Sequence, residues 1–196
     1  MDKLDAAFIM QGLDQATQLW LGSPCILPTV DSTNQFLINN PGIRLVIANQ
    51  QTAGRGQRNH SWFSPEGKNI YLSVRWRTRI KPDITETSVL VAQAVQQLFT
   101  ESGIRQTTIK PPNDVMINGG KAAGILIEAF TQGTWVDLVT GIGINVWMTS
   151  DPEHNINQPW TSMVQELDQA DKHLLNRNRL ISRLLNILYR QVHQHD

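Results

Sequence analysis

Residues 51–58 contain the residue types in this sequence best suited to binding an anion. They read Gln-Thr-Ala-Gly-Arg-Gly-Gln-Arg and follow an apolar stretch at residues 43–49. Glycine lets the backbone approach a ligand and present N–H groups, and a guanidinium offers a planar set of donors to a phosphate or carboxylate. Taken alone, the segment is more typical of a surface hairpin with solvated arginines, because it fits neither a P-loop nor a dinucleotide fingerprint.

Further polar and charged motifs precede and follow this loop in the chain. They are Asp-Ser-Thr-Asn at 31–34, Trp-Phe-Ser-Pro-Glu-Gly-Lys-Asn-Ile-Tyr-Leu-Ser at 62–73, Lys-Pro-Pro-Asn-Asp at 110–114, Gly-Gly-Lys-Ala-Ala-Gly-Ile-Leu-Ile-Glu at 119–128 and Gly-Ile-Gly-Ile-Asn-Val at 141–146. Each has an ordinary structural interpretation. Ser32 or Thr33 can cap a helix, Trp62 can be a core residue, and Lys121 can be a solvated lysine beside a hairpin turn.

The hydrophobic pattern predicts an α+β fold, a mixed β-sheet with helices packed against it. Helical spacing predicts helices over residues 4–21, 83–102, 162–170 and 177–192, with a short one after Ser32. Strands are predicted at 25–30, 43–49 and 69–77, and the last of these alternates cleanly. A meander of strands is then predicted over 104–110, 115–118, 121–130 and 135–147.

Composition excludes several classes of protein. The 196 residues include 17 basic and 17 acidic side chains. The chain therefore lacks the excess of positive charge that sequence-independent binding of nucleic acid requires. No apolar run approaches the ~20 residues of a membrane helix. A single cysteine, Cys25, excludes an internal disulfide framework. We therefore expect a cytoplasmic protein that binds neither DNA nor membrane.

Together, the motifs resemble the catalytic domain of biotin protein ligases, the biotin–[acetyl-CoA-carboxylase] ligases. Six motifs occur in that family's order across about residues 30–190. The resemblance implies a class II synthetase-like biotin/lipoyl ligase catalytic fold. It also implies a reaction in which the carboxylate of biotin attacks the α-phosphate of ATP, and the resulting biotinyl-AMP acylates a lysine of a carrier protein.

The resemblance implies a role for each matching residue. The implied catalytic residues are Lys121, Arg55 and Asp114, and Asp114 is also implied to bind Mg²⁺. The implied biotin-binding residues are Ser32, Thr33, Asn34, Gln51, Arg55, Gly56, Gln57 and Lys121. Those implied for ATP are Arg58, Trp62, Lys110, Asn113, Asp114, Gly143 and Asn145.

Two substitutions depart from the family pattern. Gln57 stands where the family usually has a second arginine, and loss of a guanidinium removes a charged donor with a bidentate grip. We expect slower formation of the adenylate or looser retention of it, unless Arg58 takes over. Pro111 replaces a tryptophan and removes an aromatic surface from the site.

The implied organisation is a single catalytic domain over residues 1–196, without an N-terminal winged-helix domain or a C-terminal β-barrel domain. The implied acceptor is the biotin carboxyl carrier protein of acetyl-CoA carboxylase, and the chain is expected to be a monomer or homodimer. Two alternatives stay open. One is a lipoate or octanoate transferase of the same superfamily, and the other is a weakly active or non-catalytic module that binds biotin or nucleotide.

Overall fold

The fold is built on a mixed seven-stranded sheet. The computed structural model describes residues 2–78, 82–151 and 155–193. The strands of the sheet lie in the order β1-β2-β3-β7-β6-β5-β4. The parallel pair is β1 with β2, and all other neighbours are antiparallel. The bounds are β1 (Cys25–Leu27), β2 (Leu45–Ala48), β3 (Ile70–Thr78), β4 (Thr107–Lys110), β5 (Asp114–Ile117), β6 (Gly120–Gln132) and β7 (Trp135–Ile144). The predicted mixed sheet and the meander from β4 to β7 are confirmed.

The helices cover the two faces of the sheet unequally. The larger core lies between the sheet, the two long helices and the N-terminal helices, and a smaller cluster lies under a short helix on the opposite face. The bounds are α1 (Ala6–Gln11), α2 (Gln15–Leu21), α3 (Thr33–Asn39), α4 (Ile84–Glu101), α5 (Met163–Glu166) and α6 (Arg177–His193). No helix in the described ranges combines the length and apolarity needed to cross a bilayer.

Strand β3 shows how the sequence pattern assigns these faces. Ile70, Leu72, Val74 and Trp76 point into the larger core, as their period of two predicts. The residues between them point towards α3, and Ser73 makes hydrogen bonds there to Thr33 and Asn34. This second face is the one that carries the polar motifs.

The predicted helix over residues 4–21 is wrong as a single element, because the chain breaks at residues 12–14 between α1 and α2. Gly12 lies against α6, where a Cβ atom would come within 2.7 Å of the Ser182 side chain. The Asn186 amide of α6 donates to the Gly12 carbonyl and accepts from the Asp14 N–H, at 2.9 Å each. A side chain distant in sequence therefore satisfies the backbone groups that the break exposes.

The other predicted elements are present with shifted ends. The helix predicted over 162–170 is limited to α5, because Leu167 has an extended backbone with ψ at 145°. Helix α4 begins as predicted, since the Asp83 carboxylate accepts from the N–H groups of Thr85 and Glu86. The absence of further domains at either end stays a prediction.

Candidate functional site

A cavity of about 490 Å³ opens on the face of the sheet that carries α3. All fifteen residues singled out from the sequence lie on its wall: Ser32, Thr33, Asn34, Gln51, Arg55, Gly56, Gln57, Arg58, Trp62, Lys110, Asn113, Asp114, Lys121, Gly143 and Asn145. They come from five loops and strand segments that are far apart in sequence. The structure thus brings the predicted residues together, while the role of each one stays a prediction.

One end of the cavity is a buried polar network at the N-terminus of α3. Gln51 Oε1 accepts from the Thr33 backbone N–H at 2.9 Å and from the Thr33 hydroxyl at 3.1 Å, and Gln51 Nε2 donates to Ser64 at 3.0 Å. Ser32 is the N-cap residue of α3, but its hydroxyl makes no capping bond and has no partner among the described residues. The capping interpretation of Ser32 therefore does not account for its hydroxyl, which can bind a ligand.

Asn34 lies beside this network with its amide orientation fixed by the protein. Its Nδ2 donates to the Leu126 carbonyl at 3.1 Å and to Glu128 at 2.8 Å, while Oδ1 lies 2.6 Å from the Ser73 hydroxyl. A Cβ atom at Gly141 would come within 2.5 Å of Asn34 Oδ1. Glycine at 141 is therefore what allows this side chain to lie flat on β7.

Trp62 forms an aromatic wall at the other end of the cavity. Gly124 on β6 and Gly143 on β7 are direct partners in the sheet, and the indole ring lies over both of them. A Cβ atom would come within 2.9 Å of the ring at Gly124 and 2.5 Å at Gly143. The indole N–H is buried without a hydrogen-bond partner among the described residues, so a ligand acceptor could satisfy it. Trp62 is thus a cavity residue and does not belong to the hydrophobic core.

Lys121 lies between this aromatic wall and the β4–β5 turn. Its Nζ is 2.7 Å from Asp114 Oδ1 and 5.4 Å from the centre of the Trp62 ring, and only 15% of the Lys121 side chain is exposed. A hairpin turn with positive φ at Asn118 and Gly119 places Lys121 at the start of β6. The interpretation of Lys121 as a solvated lysine is therefore wrong.

Residues 55–58, between β2 and β3, line the cavity mouth and are called the arginine loop here. The Gly56 N–H donates to the His60 carbonyl at 2.7 Å, which closes a tight turn around Gln57 and Arg58. Arg58 has a left-handed backbone with φ at 54°, a conformation uncommon for arginine. Neither Gln57 nor Arg58 has a side-chain hydrogen bond in the described parts of the chain, so both are available to a ligand.

Two asparagines of the wall hold the backbone around Lys121. Asn145 is 3% exposed, and its Nδ2 donates to the carbonyls of Thr161 at 3.0 Å and Lys121 at 3.4 Å. Asn113 donates to the Ile125 carbonyl at 3.1 Å. Both asparagines that were predicted to contact the nucleotide therefore already donate hydrogen bonds to backbone carbonyls of the protein.

The charges on the wall favour an anionic ligand. Arg55, Arg58, Lys110 and Lys121 line the cavity, whereas Asp114 is the single acidic residue among the described lining residues. The described residues hold no group of three or more His, Cys, Asp or Glu side chains that could cage a metal. A Mg²⁺ ion here would suit Asp114 together with phosphate oxygens, the usual donor set for this ion.

Several residues on the wall and in the network beside it were given no role from the sequence. The segment from Asn155 to Trp160 lines the cavity and pairs with Lys121, whose N–H donates to the Pro159 carbonyl at 3.0 Å. Ser64 and Ser73 complete the buried network, although their motifs gave no role to either hydroxyl. Cys25 lies on the edge strand β1, outside the cavity wall.

The sequence has relatives among characterised proteins. Residues 26–145 match the biotin/lipoate A/B protein ligase family. The chain is 35% identical over 164 residues to the bifunctional ligase/repressor BirA of Escherichia coli K12, which covers 81% of this chain and 51% of BirA. It is 36% identical over 131 residues to the biotin–[acetyl-CoA-carboxylase] ligase of Paracoccus denitrificans, which covers 62% of this chain and 53% of that ligase. The chain thus spans about half the length of the curated relatives it matches.

Solved structures share the same architecture. The biotin protein ligase of Aquifex aeolicus in complex with biotin and ATP superposes with a TM-score of 0.66 at 25% identity, covering 85% of this chain and 70% of that one. The LipL1 protein of P. falciparum in complex with lipoate superposes with a TM-score of 0.55 at 10% identity, over 88% and 63% of the two chains. The second likeness shows a shared fold alone.

Proposed function

Because the chain belongs to the biotin/lipoate A/B protein ligase family, we propose that it ligates biotin to a carrier protein in an ATP-dependent reaction. The observation that carries the proposal is one cavity whose wall combines a polar network at the N-terminus of α3, the side chains of Arg55, Arg58, Lys110 and Lys121, and the Trp62 ring. A ureido ring needs hydrogen-bond partners, and a carboxylate and an α-phosphate need positive charge. The wall supplies both kinds of group.

The proposed reaction has two steps. A carboxylate oxygen of biotin attacks the α-phosphorus of ATP, the bond from phosphorus to the pyrophosphate oxygen breaks, and biotinyl-AMP forms. A lysine amine of the carrier then attacks the acyl carbon, and AMP leaves. No protein nucleophile is needed, so the protein's contribution is positioning and stabilisation of the charge that develops.

The polar end of the cavity supplies the proposed hydrogen bonds to biotin. Ser32 contributes its unpartnered hydroxyl, and Gln51 contributes the Nε2 hydrogen that Ser64 does not use. The Thr33 backbone N–H and hydroxyl both donate to Gln51 Oε1, which fixes the orientation of Gln51. These groups explain why a neutral ring with polar edges fits this end better than the alkyl chain of octanoate.

Lys121 supplies the proposed positive charge at the reacting phosphorus. Its ion pair with Asp114 keeps the ammonium group oriented before substrates bind, and an incoming carboxylate and phosphate can then share it. Asp114 is then free to orient the acceptor amine. Where Mg²⁺ is bound, Asp114 and the phosphates would hold it, and the ion would neutralise phosphate charge.

The acceptor we propose is a biotin carboxyl carrier protein of acetyl-CoA carboxylase. The support is that relatives such as the Paracoccus denitrificans protein are biotin–[acetyl-CoA-carboxylase] ligases. The placement of Cys25 outside the cavity wall argues against a transferase that carries its acyl group on this cysteine.

The test is transfer of biotin to a carrier domain. Incubation of the chain with biotin, Mg²⁺-ATP and the carrier should give a streptavidin-reactive product, which is absent when the acceptor lysine is replaced by arginine. The Lys121→Gln variant should lower the rate by at least about 100-fold. The matched control Lys172→Gln, outside the cavity wall, should leave it unchanged. Binding of biotin without carrier labelling would instead indicate a binding module.

A further inference from the structure

Glu128 joins two parts of the site at a single carboxylate oxygen. Glu128 Oε2 accepts from Asn34 Nδ2 of helix α3 and from Arg55 Nη2 of the arginine loop, each at 2.8 Å. Glu128 itself lies on β6, two residues beyond the wall residue Leu126, and does not line the cavity. Three elements that are far apart in sequence therefore meet at one atom beside the wall.

The bond to Glu128 restricts the Arg55 side chain. Arg55 lies on a glycine-flanked loop with 39% of its side chain exposed, so an unpaired arginine here would sample many rotamers. A charge-assisted hydrogen bond holds the guanidinium at one of its five N–H donors. The remaining donors stay available to an anion in the cavity.

The same oxygen also fixes the second amide hydrogen of Asn34. The first one goes to the Leu126 carbonyl, so the Asn34 side chain has no unused donor. A shift of Glu128 would therefore move both groups at once. Glu128 thus couples the polar end of the cavity to its arginine loop.

We propose that Glu128 is a positioning residue that holds the Arg55 guanidinium in place for formation of the adenylate. The inference rests on the proposed function, because it assigns to Arg55 the charge that develops between the biotin carboxylate and the α-phosphate. Glutamine at this position keeps an oxygen that can accept from Asn34 but removes the charge that orients Arg55. The loss should therefore appear in the rate of adenylate formation and leave biotin binding intact.

The experiment measures biotinyl-AMP formation in a single turnover and, separately, biotin affinity by calorimetry. For Glu128→Gln, we expect about a tenfold slower single turnover, below the ~100-fold that a 1 Å misplacement can cost, with biotin affinity within about twofold. The matched control is Glu101→Gln. Glu101 forms an ion pair of the same type with Arg183 at 2.6 Å, between α4 and α6, and is similarly exposed at 30%.

A double-mutant cycle separates positioning of Arg55 from a general loss of structure. Arg55→Met combined with Glu128→Gln should be no slower than Arg55→Met alone, because the carboxylate acts through the guanidinium. Additive losses, or an equal loss in Glu101→Gln, would overturn the role of Glu128 while the ligase activity of the natural chain stood. An inactive natural chain would overturn the proposed function, and this inference with it.

Discussion

Gly141 and Gly143 on β7 lie under two different side chains, and this divides the cavity floor at the scale of single residues. Gly141 accommodates Asn34, and Gly143 accommodates the Trp62 ring. A methyl group at either position would come within 2.5 Å of its neighbour, closer than real contacts allow. The two glycines therefore let the two ends of the proposed site be disturbed separately.

Alanine substitutions at these glycines should weaken the binding of different ligands. Gly143→Ala displaces Trp62 and should raise the KM for ATP about tenfold, equivalent to ~1.4 kcal/mol. Gly141→Ala displaces Asn34 and should weaken biotin binding by a similar factor. Steady-state kinetics and calorimetry measure the two quantities. Gly42→Ala is the control, because its Cβ would meet nothing within 4 Å; identical profiles for the two β7 variants would contradict this division.

Gln57 is the residue at which this sequence departs most directly from the family pattern. Its amide has no partner in the described structure and faces the cavity. Gln57→Arg adds a planar, charged set of donors next to Arg58. We expect faster formation of biotinyl-AMP and several-fold slower release, measured by a quenched assay and by dialysis of the preformed intermediate.

Arg58→Gln serves as the comparison for that variant. If Arg58 already substitutes for the missing arginine despite its left-handed backbone, Arg58→Gln should slow adenylate formation and Gln57→Arg should change it little. An unchanged yield and release rate in both Gln57→Arg and Arg58→Gln would refute the role assigned to this position.

At the scale of elements, the Asp137 side chain links β7 to β3. It lies near the start of β7, opposite Arg77 near the end of β3. Asp137 is 2% exposed and accepts from Arg77 Nε at 2.5 Å and from Arg75 Nη1 at 3.3 Å. The hydrogen bond from Arg77, with the positive charges of Arg77 and Arg75, lowers the pKa of the Asp137 carboxyl against the opposing effect of burial. Because Arg75 is itself buried, the carboxylate also neutralises a charge that water cannot reach.

Replacement of Asp137 by asparagine should destabilise the protein in a pH-dependent way. We expect a loss of about 2 kcal/mol at pH 7, less than for a fully buried pair because half of the Arg77 side chain is exposed. A lowered folded-state pKa stabilises above the unfolded value of ~3.9 and ceases to do so as pH falls through the folded value. The difference between the natural chain and Asp137→Asn should therefore shrink below about pH 4.

Urea unfolding at pH 7 and pH 3 measures this difference. Asp14→Asn is the control, since Asp14 lies 3.8 Å from Arg190, both side chains are more than half exposed, and asparagine is an equally good N-cap. A difference that stayed constant with pH would exclude the charge of Asp137 as its source.

The elements that sequence reasoning predicted correctly are those whose own residues carry the information. The alternation of β3, the Asp83 cap of α4 and the β5–β6 turn at Asn118 are local patterns, and each appears where predicted. The break between α1 and α2 depends on Asn186 and Ser182 of α6, more than 160 residues away. No local pattern contains that contact, so periodicity alone predicted one helix.

The same distinction applies to the site. The fifteen residues that were given roles from the resemblance to a family all lie on the cavity wall. Ser73 and Glu128 are the last residues of two motifs but were given no role, since they act through contacts with α3. The segment from Asn155 to Trp160 belongs to no motif and reaches the wall beside Lys121. Their positions follow from the sheet register and from the packing of α3, which the sequence pattern does not fix.

At the scale of the whole molecule, net neutrality conceals an uneven distribution of charge. The chain has 17 basic and 17 acidic residues, yet four cations and one carboxylate are found among the described lining residues. An excess of positive charge in a concave site attracts an anionic ligand, and binding of that ligand then stabilises the folded chain. Thermal stability therefore reports which ligand the cavity prefers.

Ligand-dependent unfolding should distinguish the proposed function from its alternatives. A ligand at 100 times its Kd stabilises by ~2.7 kcal/mol, which raises the Tm of a chain of this size by about 5–10 °C. We expect a shift of this size with biotin, a larger one with biotin and Mg²⁺-ATP together, and almost none with lipoate or octanoate. Scanning fluorimetry across these ligands at equal concentration makes the measurement, with Ser32→Ala as the variant that should reduce the biotin shift alone. A larger shift with lipoate than with biotin would move the chain to the lipoate branch of its family, because the polar network at Ser32, Thr33 and Gln51 would then not be selecting the ligand.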